Sequence, residues 1–237
     1  MRNWLGSGTK VGLLSYEDDT RALASRLQAQ RAGVDLRIAT GAALGNTHQR
    51  RALGEALEWW STVEGLLETD DARPPGTVDD VVASIREMRR RGCSVAVLDN
   101  LTCTRMGGED RHDLVLEDAL SRLRSEAQSL QIPVIVIGHI RRGQTEADES
   151  RRPPRPSDFR NGSAWENYSR VLLGMWLTDS GASLRVLKQT EGPPGADFSV
   201  EFAREAAVVT GLTRLASSAD AAPQSSREQR RYYPRED

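Results

Sequence analysis

Short apolar runs alternate with segments of helical period from Val11 to Gly138. The runs are Val11 to Ser15 (VGLLS), Gly65 to Glu68 (GLLE), Ser94 to Asp99 (SVAVLD) and Pro133 to Gly138 (PVIVIG). Each is continuous and rich in leucine or β-branched residues, the pattern of a strand covered on both faces, so the order predicts a parallel α/β sheet with flanking helices. Helices are predicted at about Asp19 to Ala32, Thr47 to Ser61, Val78 to Arg91 and Asp113 to Leu130. Thr77, followed by Asp79 and Asp80, suits a helix start, because a hydroxyl and early carboxylates satisfy free N–H groups and the helix dipole.

Beyond Gly138 the pattern changes. A polar stretch rich in arginine and proline, Arg141 to Pro156, precedes three apolar runs separated by turn residues: RVLLGMWL, SLRVLKQ and DFSVEF. These predict antiparallel strands or a hairpin at the edge of the parallel sheet. From about Thr213 the sequence SSADAAPQSSREQRRYYPRED buries too little apolar surface to offset its ordering entropy. The expected organisation is therefore one core over residues 1–212 and a flexible tail over 213–237, with no internal repeat.

At 237 residues, 38% of them hydrophobic, the chain is large enough for one sizeable core and too short for a second full domain. A net charge of -2 gives no global field for nucleic acid, so any such contact must come from local basic patches. Lys10 and Lys188 are the only lysines, and arginine supplies the remaining basic residues. The two cysteines, Cys93 and Cys103, cannot form a metal site alone and read as free thiols of a reducing cytoplasm. No apolar run has the length of a membrane span, and MRNWLGSGTK has no signal-peptide core, so a soluble, cytoplasmic protein is expected.

Four residues could carry chemistry. Glu17 follows the first apolar run, where a water-activating base would sit at the carboxyl end of a strand; with Asp18 and Asp19 it equally reads as a helix cap. Asp99 closes four apolar residues, a Walker B pattern whose carboxylate holds Mg²⁺ beside nucleotide phosphates, although many buried strands end in aspartate. His139 closes the run PVIVIG, where it could sense a γ-phosphate or be a hydrogen-bonded strand-end histidine. Lys188 lies in LKQTEGPPG, on a turn from which a cation could reach a neighbouring subunit's nucleotide or be solvated. The glycines of GSGTK do not form a phosphate loop, since such a loop follows a strand and opens a helix, whereas Lys10 opens a strand. Gly6 and Gly8 read instead as the close of a helix whose beginning precedes this chain.

The order and spacing of these signals from Lys10 to Phe202 resemble the ATPase domain of DnaB-type replicative helicases. LLSYED resembles that family's strand ending in Ser-Leu-Glu, which implies Glu17 as catalytic base and Arg26 as a cofactor-binding arginine of the next helix. RAGVDLRIATG is similar to its Val-Asp…Thr-Gly segment. VVASIREMRRRGCSVAVLDNL resembles its Walker B helix and strand, with Asp99 as the Mg²⁺ ligand. LRSEAQSLQIPVIVIGHIRR resembles the segment ending in Ser-Gln-Leu-x-Arg, with His139 in place of the sensor glutamine and Arg142 matching the arginine. RPSDFRNGSAWEN is similar to Arg-Pro…Ser-Asp-Leu-Arg-Glu-Ser-Gly-Ser-Ile-Glu-Gln, the family's second DNA-holding pore loop, which implies Arg160, Asn161 and Gly162 as phosphate contacts. Arg105 occupies the position of the first pore loop.

The resemblance implies a RecA-like parallel sheet, ATP and Mg as cofactors, single-stranded DNA as substrate, and a homo-hexamer or mixed ring. A primase or a helicase loader is a further implied partner. Three departures qualify it. No Gly-x-x-x-x-Gly-Lys-Thr/Ser occurs in these residues; Lys188, Gln189 and Thr190 stand where the family has Lys-Gln-Arg, so the arginine finger is lost; and Tyr168, Ser169 and Arg170 replace Asp-Ala-Asp. The expected function is a DnaB-like ATP-dependent helicase core with impaired hydrolysis, the alternative a non-catalytic RecA-fold DNA-binding or ring-partner subunit. Either way, Glu17, Asp99 and His139 should lie on adjacent strand ends at one side of the sheet.

Overall fold

A computed structural model describes residues 1–70, 77–101, 112–140, 153–159, 162–178, 181–192, 194–203, 205–206 and 208–215. Strands β1 (Val11–Ser15), β2 (Leu67–Thr69), β3 (Val95–Asp99) and β4 (Val134–Val136) form a four-stranded parallel sheet in the order β2-β1-β3-β4. All four fall within or across the apolar runs that predict them. The register places Ser15 opposite Asp99, so the last residues of β1 and β3 leave the sheet side by side.

The central strands β1 and β3 are covered on both faces, as continuous runs require, while β2 and β4 at the edges are partly exposed. Helices α1 (Arg2–Gly6), α2 (Thr20–Ala32) and α4 (Thr47–Val63) supply Leu5, Leu27 and Val63 to one face, where they meet Val11, Leu13, Val95 and Val97. On the other face Leu14, Ala96 and Leu98 pack against α5 (Val78–Arg90) and α6 (His112–Leu130). Gly12 lets α5 come close: a Cβ there would sit 2.5 Å from the sulfur of Met88. The short helices α3 (Leu36–Ala39) and α7 (Gly162–Tyr168) have no counterpart among the elements that the sequence predicts. Thr77 caps α5 as its sequence predicts, its Oγ1 accepting from Asp80 N while the Asp80 carboxylate accepts from Thr77 N at 2.7 Å.

The chain's start also behaves as expected. Residues 2–6 are helical, Gly8 has φ +79, and Lys10 leads directly into β1. The glycines of GSGTK therefore follow a helix and precede a strand, the reverse of a phosphate loop.

Among the described residues the antiparallel strands near the C-terminus are β5 (Val171–Thr178), β6 (Gly181–Gln189), β7 (Asp197–Ala203) and β8 (Val208–Arg214). They pair in sequence order as a sheet of their own, and among the described residues none is hydrogen-bonded into the parallel sheet. The sheets still share a core, because Leu172 of β5 belongs to the cluster around α5 and α6. Arg185 and Asp197, directly opposite on β6 and β7, form a two-pronged ion pair with both N–O distances at 2.5 Å. That guanidinium holds the Asp197 carboxyl below its ordinary range. β8 carries ordered structure to Arg214, just past the expected start of the tail; residues 216–237 lie outside the described residues.

Ile85 is fully buried between α5 and the sheet. Ile85→Ala should lower unfolding stability by roughly 2–5 kcal/mol, with an unchanged dependence on urea concentration. Leu57→Ala, at a side chain 49% exposed, should stay within about 0.5 kcal/mol.

Candidate active site

Three chain exits converge at the carboxyl ends of β1, β3 and β4. After β1, Ser15 turns the chain: its hydroxyl donates to the Asp18 carbonyl at 2.7 Å, and Asp18 N donates back to it at 3.2 Å. Asp19 then caps α2, accepting from Ala22 N at 2.7 Å. The capping role open to the whole acidic cluster thus falls to Asp19, and Glu17 is left facing the neighbouring strand exits. Asp18 takes Arg26 as its ion-pair partner.

β3 and β4 complete the cluster. Tyr16 N donates to the Asp99 carbonyl at 2.8 Å, which locks the β1 and β3 exits together. Asn100, 1% exposed, donates through Nδ2 to Glu17 Oε1, and the same nitrogen lies 3.0 Å from His139 Nε2. His139 Nε2 lies 3.4 Å from Glu17 Oε1. Glu17 and His139 are about half open to solvent, so they lie at the surface over a buried amide. A cavity of about 540 Å³ beside β2, bordered by Thr20, Arg21, Trp60 and Leu67, includes none of these side chains.

Electrostatics separate Asp99 from the rest. Burial pushes its carboxyl above the ordinary range, and the negative charges of Glu17 and Asp18 add to the effect; His139 and Arg26 oppose it. The arrangement is one that a cation bound between the carboxylates would relieve. Among the described residues no group of three or more His, Cys, Asp or Glu side chains is set to hold a metal ion alone. A divalent cation here needs water or phosphate oxygens to complete its shell.

The other predicted site residues divide. Arg26 borders the cluster through Asp18. Lys188, on β6, donates to the Glu166 carbonyl of α7 and does not join Glu17 and His139. Gly162 opens α7 and is buried, and a Cβ there would collide with the Pro156 carbonyl oxygen, so packing by itself demands glycine. Arg105, Arg142, Arg160 and Asn161 lie outside the described residues. Asn100 is a member of the site that sequence reasoning misses. Its only sequence signal is a polar residue set between the apolar stretch of β3 and Leu101, a position where an amide must be buried.

A parallel sheet with a carboxylate at each of two adjacent strand exits and a polar side chain at the third is the arrangement of a RecA-like fold. The chain belongs to the family described as DnaB-like helicase C terminal domain, whose model matches residues 2–208. Its structure is similar to a solved ATPase domain, with a TM-score of 0.76 and 18% identity over 88% of this chain and 76% of that one. It is equally similar to a DnaB-like replicative helicase whose structure is described with its interactions with primase, again at 0.76 and 18%, covering 88% of this chain and 53% of that one. Among curated proteins no relative matches. No described helix is long and apolar enough to cross a membrane.

Asp99 carries a cost that follows pH. Its raised folded-state pKa means that the contribution to stability is greatest when the carboxyl is protonated, below the unfolded value, and is lost as pH rises through the folded one. Asp99→Asn should therefore raise the melting temperature near neutral pH, and this gain should disappear as pH falls below the ordinary carboxylate range. Thermal melts of both proteins over a pH series measure it.

Proposed function

We propose that this chain supplies the hydrolytic and DNA-contacting parts of a DnaB-like, ATP-dependent helicase core that translocates on single-stranded DNA in replication. The meeting of Glu17, Asn100 and His139 beside Asp99 carries the reading. Glu17 is the group that accepts a proton from an attacking water, Asp99 holds Mg²⁺, and His139 senses the γ-phosphate. Bound ATP with Mg²⁺ supplies an electrophilic phosphorus and the cation that neutralises phosphate charge. Arg26 pairs with Asp18 and balances its charge at the border of the site. Lys188 reaches a neighbouring subunit's nucleotide across a hexamer or mixed-ring interface, and Arg105, Arg160, Asn161 and Gly162 hold DNA phosphates. A primase or a helicase loader is the further partner, in the cytoplasm; the replicative helicase above, described with primase, supports the primase.

The residues fit only half of a nucleotide site. Asp99 and Glu17 suit a hydrated cation, yet nothing in these 237 residues has the sequence of a phosphate loop, the usual source of oriented N–H donors and a lysine for the β and γ phosphates. Thr190 in the arginine finger's place favours as a second reading a ring subunit that binds DNA or partner subunits without turning over ATP.

This chain alone should bind ATP weakly and hydrolyse it scarcely at all. A strand and phosphate loop fused ahead of Arg2 should restore Mg²⁺-dependent binding by calorimetry, with phosphate release rising about a thousandfold only when Thr190→Arg is added. Brisk turnover by the unextended chain would overturn the site as drawn. No recovery in the doubly repaired protein would favour the non-catalytic reading.

On DNA, Arg160→Ala should weaken single-strand binding by rings without sequence preference and lower the slope of log affinity against log salt by about one. Equal affinity across a salt titration by fluorescence anisotropy would remove Arg160 from the DNA path.

A further inference from the structure

We infer that Asn100 is a positioning residue, which ties the Glu17 carboxylate to the His139 imidazole and fixes His139 in its Nδ1–H tautomer. The inference takes its functional meaning from the reading of Glu17 as base and His139 as sensor, but its geometry stands apart from that reading. Asn100 is 1% exposed, whereas the side chains it joins are 46% and 61% exposed. It is the fixed member of the three.

The orientation of its amide follows from Glu17. An ionised carboxylate only accepts hydrogen bonds, so the NH₂ group and not the carbonyl must face Oε1. The same NH₂ group has a second proton to give, and His139 Nε2, 3.0 Å from its nitrogen, is within reach of it. A nitrogen that accepts this bond carries no proton, so the neutral ring keeps its proton on Nδ1. The competing arrangement is close at hand. With the proton on Nε2, His139 would donate to Glu17 Oε1, 3.4 Å away, and Asn100 would lose its histidine acceptor. Among the described residues, the charges that act beside this trio are those of Asp99 and of the Asp18–Arg26 pair, the last two neutralising each other.

The functional consequence is a one-residue relay. A shift of His139 when its ligand leaves changes what Asn100 can donate, and hence how firmly Glu17 is held, without any movement of the backbone.

The tautomer can be read directly. The full chain, labelled with ¹⁵N-histidine, is probed by long-range ¹⁵N–¹H correlation at about pH 8, above the ordinary imidazole range. His139→Gln identifies its signals, leaving those of His48 and His112. In the parent protein His139 should show a protonated Nδ1 and a bare Nε2. Asn100→Leu removes the donors, and Asn100→Asp replaces them with acceptors at nearly constant volume; each should move the ratio toward Nε2–H by about fivefold or more, the factor corresponding to one ordinary net hydrogen bond. A parent His139 already in the Nε2–H form overturns the inference whether or not either variant folds. So does an unchanged ratio in either variant that melts cooperatively. Phosphate release plays no part in this measurement, so an inactive ring would leave the inference intact, and a failed tautomer test would leave the ATPase reading to its own experiments.

Discussion

Glu17 meets Asn100 because β1 and β3 run parallel and in register, with Ser15 opposite Asp99 and Tyr16 N bonded to the Asp99 carbonyl. Everything proposed for the site depends on that pairing. A slip of one residue would exchange the faces of Leu13 and Leu14, ending the fit of each in its own cluster, while moving Glu17 along the strand exit. The burial of Leu14 against α5 and of Leu13 against α1 and α2 therefore enforces the register that aligns the polar groups. Packing on two faces sets geometry at an edge that is itself open to water.

β4 completes the arrangement by a similar logic. Its pairing with β3 sets Ala96 opposite Val134 and Leu98 opposite Val136, and Ile137 N donates to the Leu98 carbonyl at 3.0 Å. This brings the β4 exit, and His139 a few residues on, beside the exit of β3. Gly138 is needed on the way, since a Cβ there would sit 2.7 Å from the ring of Trp165. The α7 tryptophan, packed near Phe159 with ring centroids 5.8 Å apart, thus supports the backbone that presents His139.

The parallel sheet is legible in the sequence because its strands read as short apolar runs, of which the central two, β1 and β3, are covered on both faces. The strand-end positions of Glu17, Asp99 and His139 follow from the ends of those runs. What sequence does not show is how roles are divided within an acidic cluster: Glu17, Asp18 and Asp19 are chemically alike, and only the turn built by Ser15 gives the cap to Asp19 and the arginine to Asp18. Asn100 escapes notice because amides beyond a strand-end aspartate carry no motif; its partners are distant in the chain and meet only through the sheet. β8 escapes for the opposite reason. Its Val209 and Leu212 are half exposed, so the segment lacks the apolar pattern of a buried strand and owes its form to pairing with β7.

The shared amide of Asn100 also bears on how this site can vary over time. His139 and Glu17 sit on separate strand exits, with no local sequence coupling between them, yet each is bonded to the same buried nitrogen. Replacing one changes the value of keeping the other, and groups that share a partner do not contribute additively. Positions 17, 100 and 139 are therefore an epistatic set: a substitution at 139 tolerated beside asparagine can be harmful beside leucine, and the order in which changes arise decides which combinations a lineage can reach.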